Sequence, residues 1–366
     1  MSAVAPSIAP SLSLQYPKWM VLQLNEVCNL RCRMCYEWGD NGAYFEKPTL
    51  ATLQYDVIER ILDAVLPGKP YFEFFGGEPL LYPRIGDAIR KIKAGGSKLE
   101  IPTNGTLVAK LAPMLVETKP DRIWISCDGP EEINDAQRGK GVFKRVMKGI
   151  DTLYAEREAA GSELPRIGVS YTVTPHNYLH IERFFLESLD LGKLDDVILT
   201  YQLFITEESY HQHKRILATQ FGVADAPGAH GMVADPADFA GMDFEELCRQ
   251  LRSVRDACER RGVLFILYPK TIDIDNVRNY FTMNREEMVD RKARCPFPWT
   301  YAEVNARGDV TVCHTFYDLT VGNVYEEGIL DIWNGERIHA VRDHLRRELF
   351  PICDACCRYY YDASKK

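Results

Sequence analysis

The chain has 366 residues, 46% of them hydrophobic and 26% charged, and a net charge of −8. This is the make-up of a soluble globular protein, long enough for one barrel-sized core of up to ~250–300 residues plus a smaller module. The acidity argues against non-specific binding to nucleic acid, and no apolar run nears the ~20 residues that span a bilayer, so neither nucleic acid nor a membrane is expected as a partner.

Residues 1–17 lack a basic n-region, and Pro6 and Pro10 interrupt their apolar stretch, so they read as a flexible arm and not as a secretion signal. Over residues 18–205, apolar runs alternate with helix-like segments. Strands are predicted at Met20–Asn25, Tyr71–Phe75, Lys98–Pro102, Arg122–Cys127, Arg166–Thr174 and Asp196–Phe204. Helices are predicted at Thr52–Val65, Pro83–Lys93, Leu107–Glu117, Val142–Glu156 and Tyr178–Leu189. The alternation predicts an α/β fold, a partial (β/α)6 TIM-like barrel whose chemistry gathers at the C-terminal strand ends.

Residues 206–290 read as a variable linker and helical segment. Glu207–Pro236 has the composition of a loop, and His211 and His213 within it read as surface residues. Asp243–Arg261 carries a helical stripe of Leu247, Leu251, Val254 and Cys258, and Val263–Tyr268 reads as a short strand. Residues 291–366 form a small module with a β-hairpin (Thr300–Val304 and Asp309–Val312), a helix near Ile338–Glu348 and a cysteine-rich end.

Eleven cysteines, an odd number, in a chain with no export signal favour metal or cluster ligation over a disulfide framework, and a reducing cytoplasm over an oxidising compartment. Cys28, Cys32 and Cys35 follow the first strand at the spacing C-x3-C-x2-C. Three thiolates can hold three irons of a four-iron cluster and leave the fourth iron open to a small molecule. Gly76-Gly77-Glu78-Pro79 follows the second strand, where backbone without Cβ atoms can approach a ligand closely. Asn104 ends the third strand as either a ligand contact or a helix cap. Ser126, Asp128 and Arg138 follow the fourth. A guanidinium fork and a serine hydroxyl together suit a carboxylate, although Asp128 and Arg138 can also pair with each other. Met34 can pack against an aromatic ligand or simply fill a gap. Cys295, Cys313, Cys353 and Cys356 make a second set with full ligation for a cluster, or for tetrahedral zinc. Cys357 is a spare that could replace Cys356.

These motifs, in this order, resemble the radical S-adenosylmethionine (SAM) superfamily, in the branch with a C-terminal iron–sulfur module of the SPASM or shortened "twitch" type. The resemblance implies a SAM-binding [4Fe–4S] cluster on Cys28, Cys32 and Cys35, and SAM held by Met34, Gly76, Gly77, Glu78, Asn104, Ser126, Asp128 and Arg138. It also implies one auxiliary [4Fe–4S] cluster on Cys295, Cys313, Cys353 and Cys356. No C-x5-C-x3-C continuation follows Cys356, which points to the shorter module. His314 is a candidate base for the substrate proton, because the matching position in SPASM oxidases is acidic.

The implied reaction is reductive cleavage of SAM to a 5′-deoxyadenosyl radical, which takes a hydrogen atom from a peptide or small-molecule substrate. Net oxidation or crosslinking in peptide or natural-product maturation is expected. The alternative is a dehydrogenase or epimerase of an aminosugar-like alcohol, and a more remote one is a non-catalytic iron–sulfur or zinc protein. The 18 residues before Trp19 are too few for an appended leader-binding domain, which mildly disfavours a self-contained peptide enzyme. An external one-electron reductant of flavodoxin or ferredoxin type is an implied partner.

Overall fold

In the computed structural model, which describes residues 15–40, 42–313 and 317–360, one ten-stranded sheet organises the molecule. Seven parallel strands succeed one another in chain order: β1 (Trp19–Asn25), β2 (Tyr71–Gly76), β3 (Leu99–Thr103), β4 (Arg122–Ser126), β5 (Arg166–Val173), β6 (Asp196–Tyr201) and β7 (Leu264–Tyr268). All seven residues of β1 are buried, as expected of a parallel strand covered on both faces. The helix Tyr55–Val65 buries Val57, Ile58, Ile61, Leu62 and Val65 as a single stripe, and Ile85–Ala94 buries Ile85, Ala88, Ile89 and Ile92 in the same way. The sheet stays open, with β7 at one edge, so the fold is the partial barrel that the alternation predicts.

The C-terminal hairpin is not a separate sheet. β8 (Tyr301–Val304) lies parallel to β1, Trp19 opposite Tyr301 and Leu22 opposite Val304, and β9 (Asp309–Thr311) and β10 (Thr320–Asn323) extend the same sheet antiparallel. The helix Glu336–Arg347 and the turn Cys353–Ala355 follow. Ion pairs bind this region to the barrel. Arg307 donates from Nε and Nη2 to the two Glu26 oxygens, each at 2.9 Å, and Arg358 Nη2 donates to Glu73 Oε2 at 2.6 Å while its guanidinium lies 4.4 Å from the Trp19 ring.

One expectation fails. Glu207–Phe221, read as loop, is a helix. Thr206 caps it by accepting from the Ser209 amide, and Gly222, at φ 69°, ends it in the left-handed region. Its buried stripe is Tyr210, His213 and Leu217, too polar to register as a hydrophobic period. His213 is therefore fully buried, not on the surface, with its ring 5.5 Å from that of Phe350. Among the described residues no helix is long and apolar enough to cross a membrane.

Candidate active site

The C-terminal ends of β1 to β6 converge on a cavity of about 320 Å³. Its walls include Cys28, Cys32 and Cys35 on one side, Gly76, Gly77, Glu78 and Asn104 on the next, and Ser126, Arg138, Thr172 and Thr200 from the later strands; Met34 also lines it. The structure thus brings together every one of the sequence-nominated residues of the first site except Asp128, which lies behind the wall.

The three cysteines stand in the loop after β1, and each sulfur accepts an N–H. Leu30 N lies 3.4 Å from Cys28 Sγ, Trp38 N 3.3 Å from Cys35 Sγ, and Arg138 Nη1 4.0 Å from Cys32 Sγ. Asn104 Nδ2 approaches Cys28 Sγ at 3.9 Å. Donors aimed at sulfur suit a group with excess negative charge on its sulfurs. Burial pushes the Cys28 thiol up to about 11 and the Cys35 thiol up to about 12, so without a metal both hold their protons.

Gly76 and Gly77, which line the cavity, also have a purpose within the chain itself. A Cβ on Gly76, whose φ is +145°, would sit 2.4 Å from Asn25 O, and one on Gly77 would sit 2.4 Å from Val27 O and 2.8 Å from Cys28 N. The space is taken by the cysteine loop itself. The Gly77 and Glu78 amides donate to Asn25 O and Val27 O, at 3.0 and 2.8 Å. The glycines therefore let the loop dock on the end of β2. The fully buried Glu78 carboxylate then joins β2 to β3, accepting from Thr103 Oγ1 and Asn104 N at 2.7 Å each and from Leu80 N at 3.0 Å. Burial raises its carboxyl above the ordinary value, against the lowering effect of those three bonds. Asn104 does not cap the helix Val108–Thr118, whose N-cap is Leu107 with no side-chain bond. Its Oδ1 accepts from Thr106 N in the turn before that helix, and its Nδ2 donates to Asn29 Oδ1 at 2.8 Å, pinning the cysteine loop.

Asp128 is fully buried and pairs with Arg138, Nε to Oδ2 at 2.6 Å, while its Oδ1 accepts from Thr172 N at 2.8 Å. Both carboxylate oxygens are therefore engaged. The pair holds the guanidinium by its Nε and leaves the Nη side directed to the cavity and Cys32.

A second group gathers in the C-terminal region, its later members 18, 58 and 61 residues after Cys295. Cys295, Cys313, Cys353 and Cys356 line one small void of about 20 Å³, bordered also by Pro298, Leu345, Arg358 and Tyr359. Cys357, next in the chain, lines the first cavity and not this void. The fully buried Arg285 supports this end, donating to Tyr280 O at 3.2 Å, Phe204 O at 3.0 Å and Asp354 Oδ1 at 3.3 Å. His314 lies outside the described residues.

Sequence reasoning missed Glu26, Arg307, Glu73, Arg358 and Arg285. Burial alone would raise the Glu26 carboxyl, but bonds from Arg307, Ala51 and Lys47 hold it below its ordinary value. Its position two residues before Cys28 makes it the tie between the cysteine loop and the C-terminal hairpin. A charged residue inside an apolar strand end, as Glu26 follows Leu24-Asn25, was the available signal.

Comparison with known proteins agrees with this geometry. Residues 22–160 match the radical SAM superfamily model, and residues 295–357 match the SPASM iron–sulfur cluster-binding domain. The chain is 26% identical over 361 residues to a tungsten-containing aldehyde ferredoxin oxidoreductase cofactor-modifying protein of Pyrococcus furiosus, covering 93% of this chain and 87% of that protein. It is 25% identical over 356 residues to a serine-type anaerobic sulfatase-maturating enzyme of Bacteroides thetaiotaomicron, covering 92% and 79%. In fold it is similar to Streptococcus suis SuiB bound to S-adenosylmethionine, with a TM-score of 0.61, 16% identity and coverage of 90% and 68%. It is also similar to anSMEcpe with bound AdoMet, with a TM-score of 0.59, 16% identity and coverage of 94% and 87%. The cofactors these domains imply are SAM, a SAM-binding [4Fe–4S] cluster and an auxiliary iron–sulfur cluster, and both cysteine groups have the donor chemistry for the clusters. The chain belongs to the radical SAM superfamily, in the branch that carries a SPASM iron–sulfur domain.

Proposed function

We propose that this protein is a radical SAM maturase that removes a hydrogen atom from a peptide substrate and completes a net oxidation or crosslink. The observation that carries the reading is the single cavity that joins Cys28, Cys32 and Cys35 to a carboxylate-binding pair, Ser126 and Arg138, at the strand ends. The cluster held by the three cysteines, when bound, supplies the electron that cleaves SAM to methionine and a 5′-deoxyadenosyl radical.

The chain's own residues position the rest. Arg138, held at Nε by Asp128, offers its Nη face to the SAM carboxylate, and Ser126 completes the pairing. Because the Gly77 and Glu78 amides are engaged, the strand end offers carbonyl oxygens, the acceptors an ammonium group needs. Met34 lies where it can pack against the adenine. Cys295, Cys313, Cys353 and Cys356 would hold the auxiliary cluster, with Cys356 preferred to Cys357 because only Cys356 of the two lines the small void. Loss of one hydrogen atom leaves a substrate radical. Oxidation requires that radical to lose one electron and one proton; the cluster that Cys295, Cys313, Cys353 and Cys356 would hold would supply an electron acceptor, and His314, next to Cys313, is the candidate base.

A second cavity of about 460 Å³ adjoins the first and shares Met34, Cys35, Tyr36, Gln202 and Leu203 with it. Two joined chambers suit an extended peptide better than a compact sugar, and relatives named for sulfatase maturation and a structure of SuiB bound to precursor peptide SuiA support that preference. The cofactor-modifying relative keeps a small-molecule substrate as the second reading. The enzyme would act in the cytoplasm with an external one-electron reductant.

The test is anaerobic reconstitution with iron, sulfide and SAM. Dithionite should release 5′-deoxyadenosine, and candidate peptides should emerge two mass units lighter, or two hydrogens lighter per crosslink. Absence of 5′-deoxyadenosine would sink the reading, and turnover of amino alcohols but not peptides would move it to the second.

A further inference from the structure

The outer side of the cysteine loop carries an open cleft of about 510 Å³ that adjoins the first cavity, sharing Cys28, Leu30 and Arg138 with it. Its lining includes Cys28, Arg31, Arg138, Gly139, Lys140 and Arg145, and among the described residues it contains no Asp or Glu. Arg138 is neutralised by Asp128, but Arg31, Lys140 and Arg145 are exposed and none has an acidic partner within ion-pair distance among the described residues. A cluster of three uncompensated cations is a pronounced local reversal in a chain of net charge −8.

Its placement is as informative as its sign. Arg31 is fixed to the loop that carries the cluster ligands: Nη1 donates to Cys28 O at 3.0 Å and Leu30 O at 2.8 Å, and the guanidinium lies 3.8 Å from the Trp38 ring. The inner side of the loop faces the chamber that SAM and substrate fill. An electron from outside therefore has to enter from the outer side, and Cys28, half-buried, is the cluster ligand that side reaches. Complementary charge at a rim steers encounter and raises the association rate, and it does so in a salt-dependent way.

We propose that the cleft formed by Arg31, Lys140 and Arg145 is the docking site of a small acidic protein that carries single electrons. This rests on the radical SAM reading above. One electron leaves the carrier and enters the cluster held by Cys28, Cys32 and Cys35; no atom is transferred, and the carrier departs oxidised by one electron. The cleft is too open to enclose a small anion, and Arg31, Lys140 and Arg145 lie outside the walls of both substrate chambers, which argues against a peptide substrate.

The experiment uses the reconstituted holoenzyme and the double variant Lys140→Glu/Arg145→Glu, with a reduced flavodoxin and, in parallel, a reduced plant-type ferredoxin as acidic probes. Dithionite, a small reductant that needs no docking, is the control. With dithionite both proteins should form 5′-deoxyadenosine at the same rate. With a carrier, the wild-type rate should fall as salt rises, and the variant should be slower by about tenfold at low salt and nearly insensitive to salt. Carrier affinity, measured by calorimetry on the same holoenzyme, should weaken by a similar factor. Equal carrier-driven rates in the two proteins, or failure of both carriers where dithionite succeeds, would overturn the proposal. A variant slowed with dithionite as well would assign the cleft to the catalytic machinery and overturn it too. No 5′-deoxyadenosine from the wild type even with dithionite would instead refute the radical SAM reading itself.

Discussion

The two cysteine groups differ in what surrounds them more than in their ligands. Cys28, Cys32 and Cys35 border a cavity of about 320 Å³, receive N–H donors from four residues and have charged Arg138 and Glu78 beside them. Cys295, Cys313, Cys353 and Cys356 line a void of only about 20 Å³, bordered by Pro298, Leu345, Arg358 and Tyr359. Burial pushes the Cys295 thiol up to about 12 and the Cys353 thiol well above its ordinary range. The first environment has room and polarity for a ligand; the second has almost no room. On the proposed reading, three cysteines beside space suit binding a reactant, and four beside almost none suit holding an electron.

The sharpest way to break the comparison is Cys32→Ala. It should abolish 5′-deoxyadenosine formation while iron falls from about eight to about four per chain, as measured by metal analysis and spectroscopy. Retained SAM cleavage would mean that the open site lies elsewhere. Cys353→Ala should also lose about four irons yet still release 5′-deoxyadenosine with dithionite, with substrate product lost. If SAM cleavage disappears as well, the two sites are not separable in the way their surroundings imply.

Arg138→Ala tests the wall between cavity and core. It should weaken SAM binding by roughly 10- to 100-fold through loss of a charge-assisted contact. It should also destabilise the protein by about 3–5 kcal/mol, because Asp128 is left buried without its ion partner. Arg138→Ala/Asp128→Asn should recover much of the stability and none of the SAM affinity, a split that calorimetry and denaturation read separately.

The smallest effect concerns the packing behind the second group. Burial, with the nearby His344 adding to it, lowers the His213 pKa from 6.5 to about 4. Above the unfolded value of 6.5 the ring is neutral in both states and contributes no pH dependence. Between 6.5 and 4 the unfolded chain binds a proton that the folded chain refuses, so stability falls as pH falls, by about 3 kcal/mol in all. Urea titrations at about pH 7 and about pH 4.5 should show this loss, and His213→Phe should reduce it.

Much of this molecule was legible in residue types and short spacings. The C-x3-C-x2-C loop, the turn at Gly76 to Pro79 and the strand end at Ser126 announce themselves, because a ligand set and a turn are local and leave a local mark. The parallel strands were equally visible, since a strand buried on both faces reads as an unbroken apolar run, as in β1. The helix Glu207–Phe221 was not, because its buried face is built from Tyr210, His213 and Leu217 and its period is hidden in polar composition; the cap at Thr206 and the stop at Gly222 were the better signals.

The sequence by itself determined the chemistry: which residues can bind iron and in which two groups they fall. Tertiary structure alone decided how those groups are used. It placed Cys356 on the small void and Cys357 on the open cavity, filled the space over Gly76 and Gly77 with the cysteine loop, and paired Asp128 with Arg138. It also joined Glu73 to Arg358, 285 residues away, and Glu26 to Arg307, 281 residues away, so that the C-terminal hairpin continues the barrel sheet. The physical reason is that ligation depends on side-chain type, whereas burial, orientation and long-range pairing depend on which strands the topology places side by side.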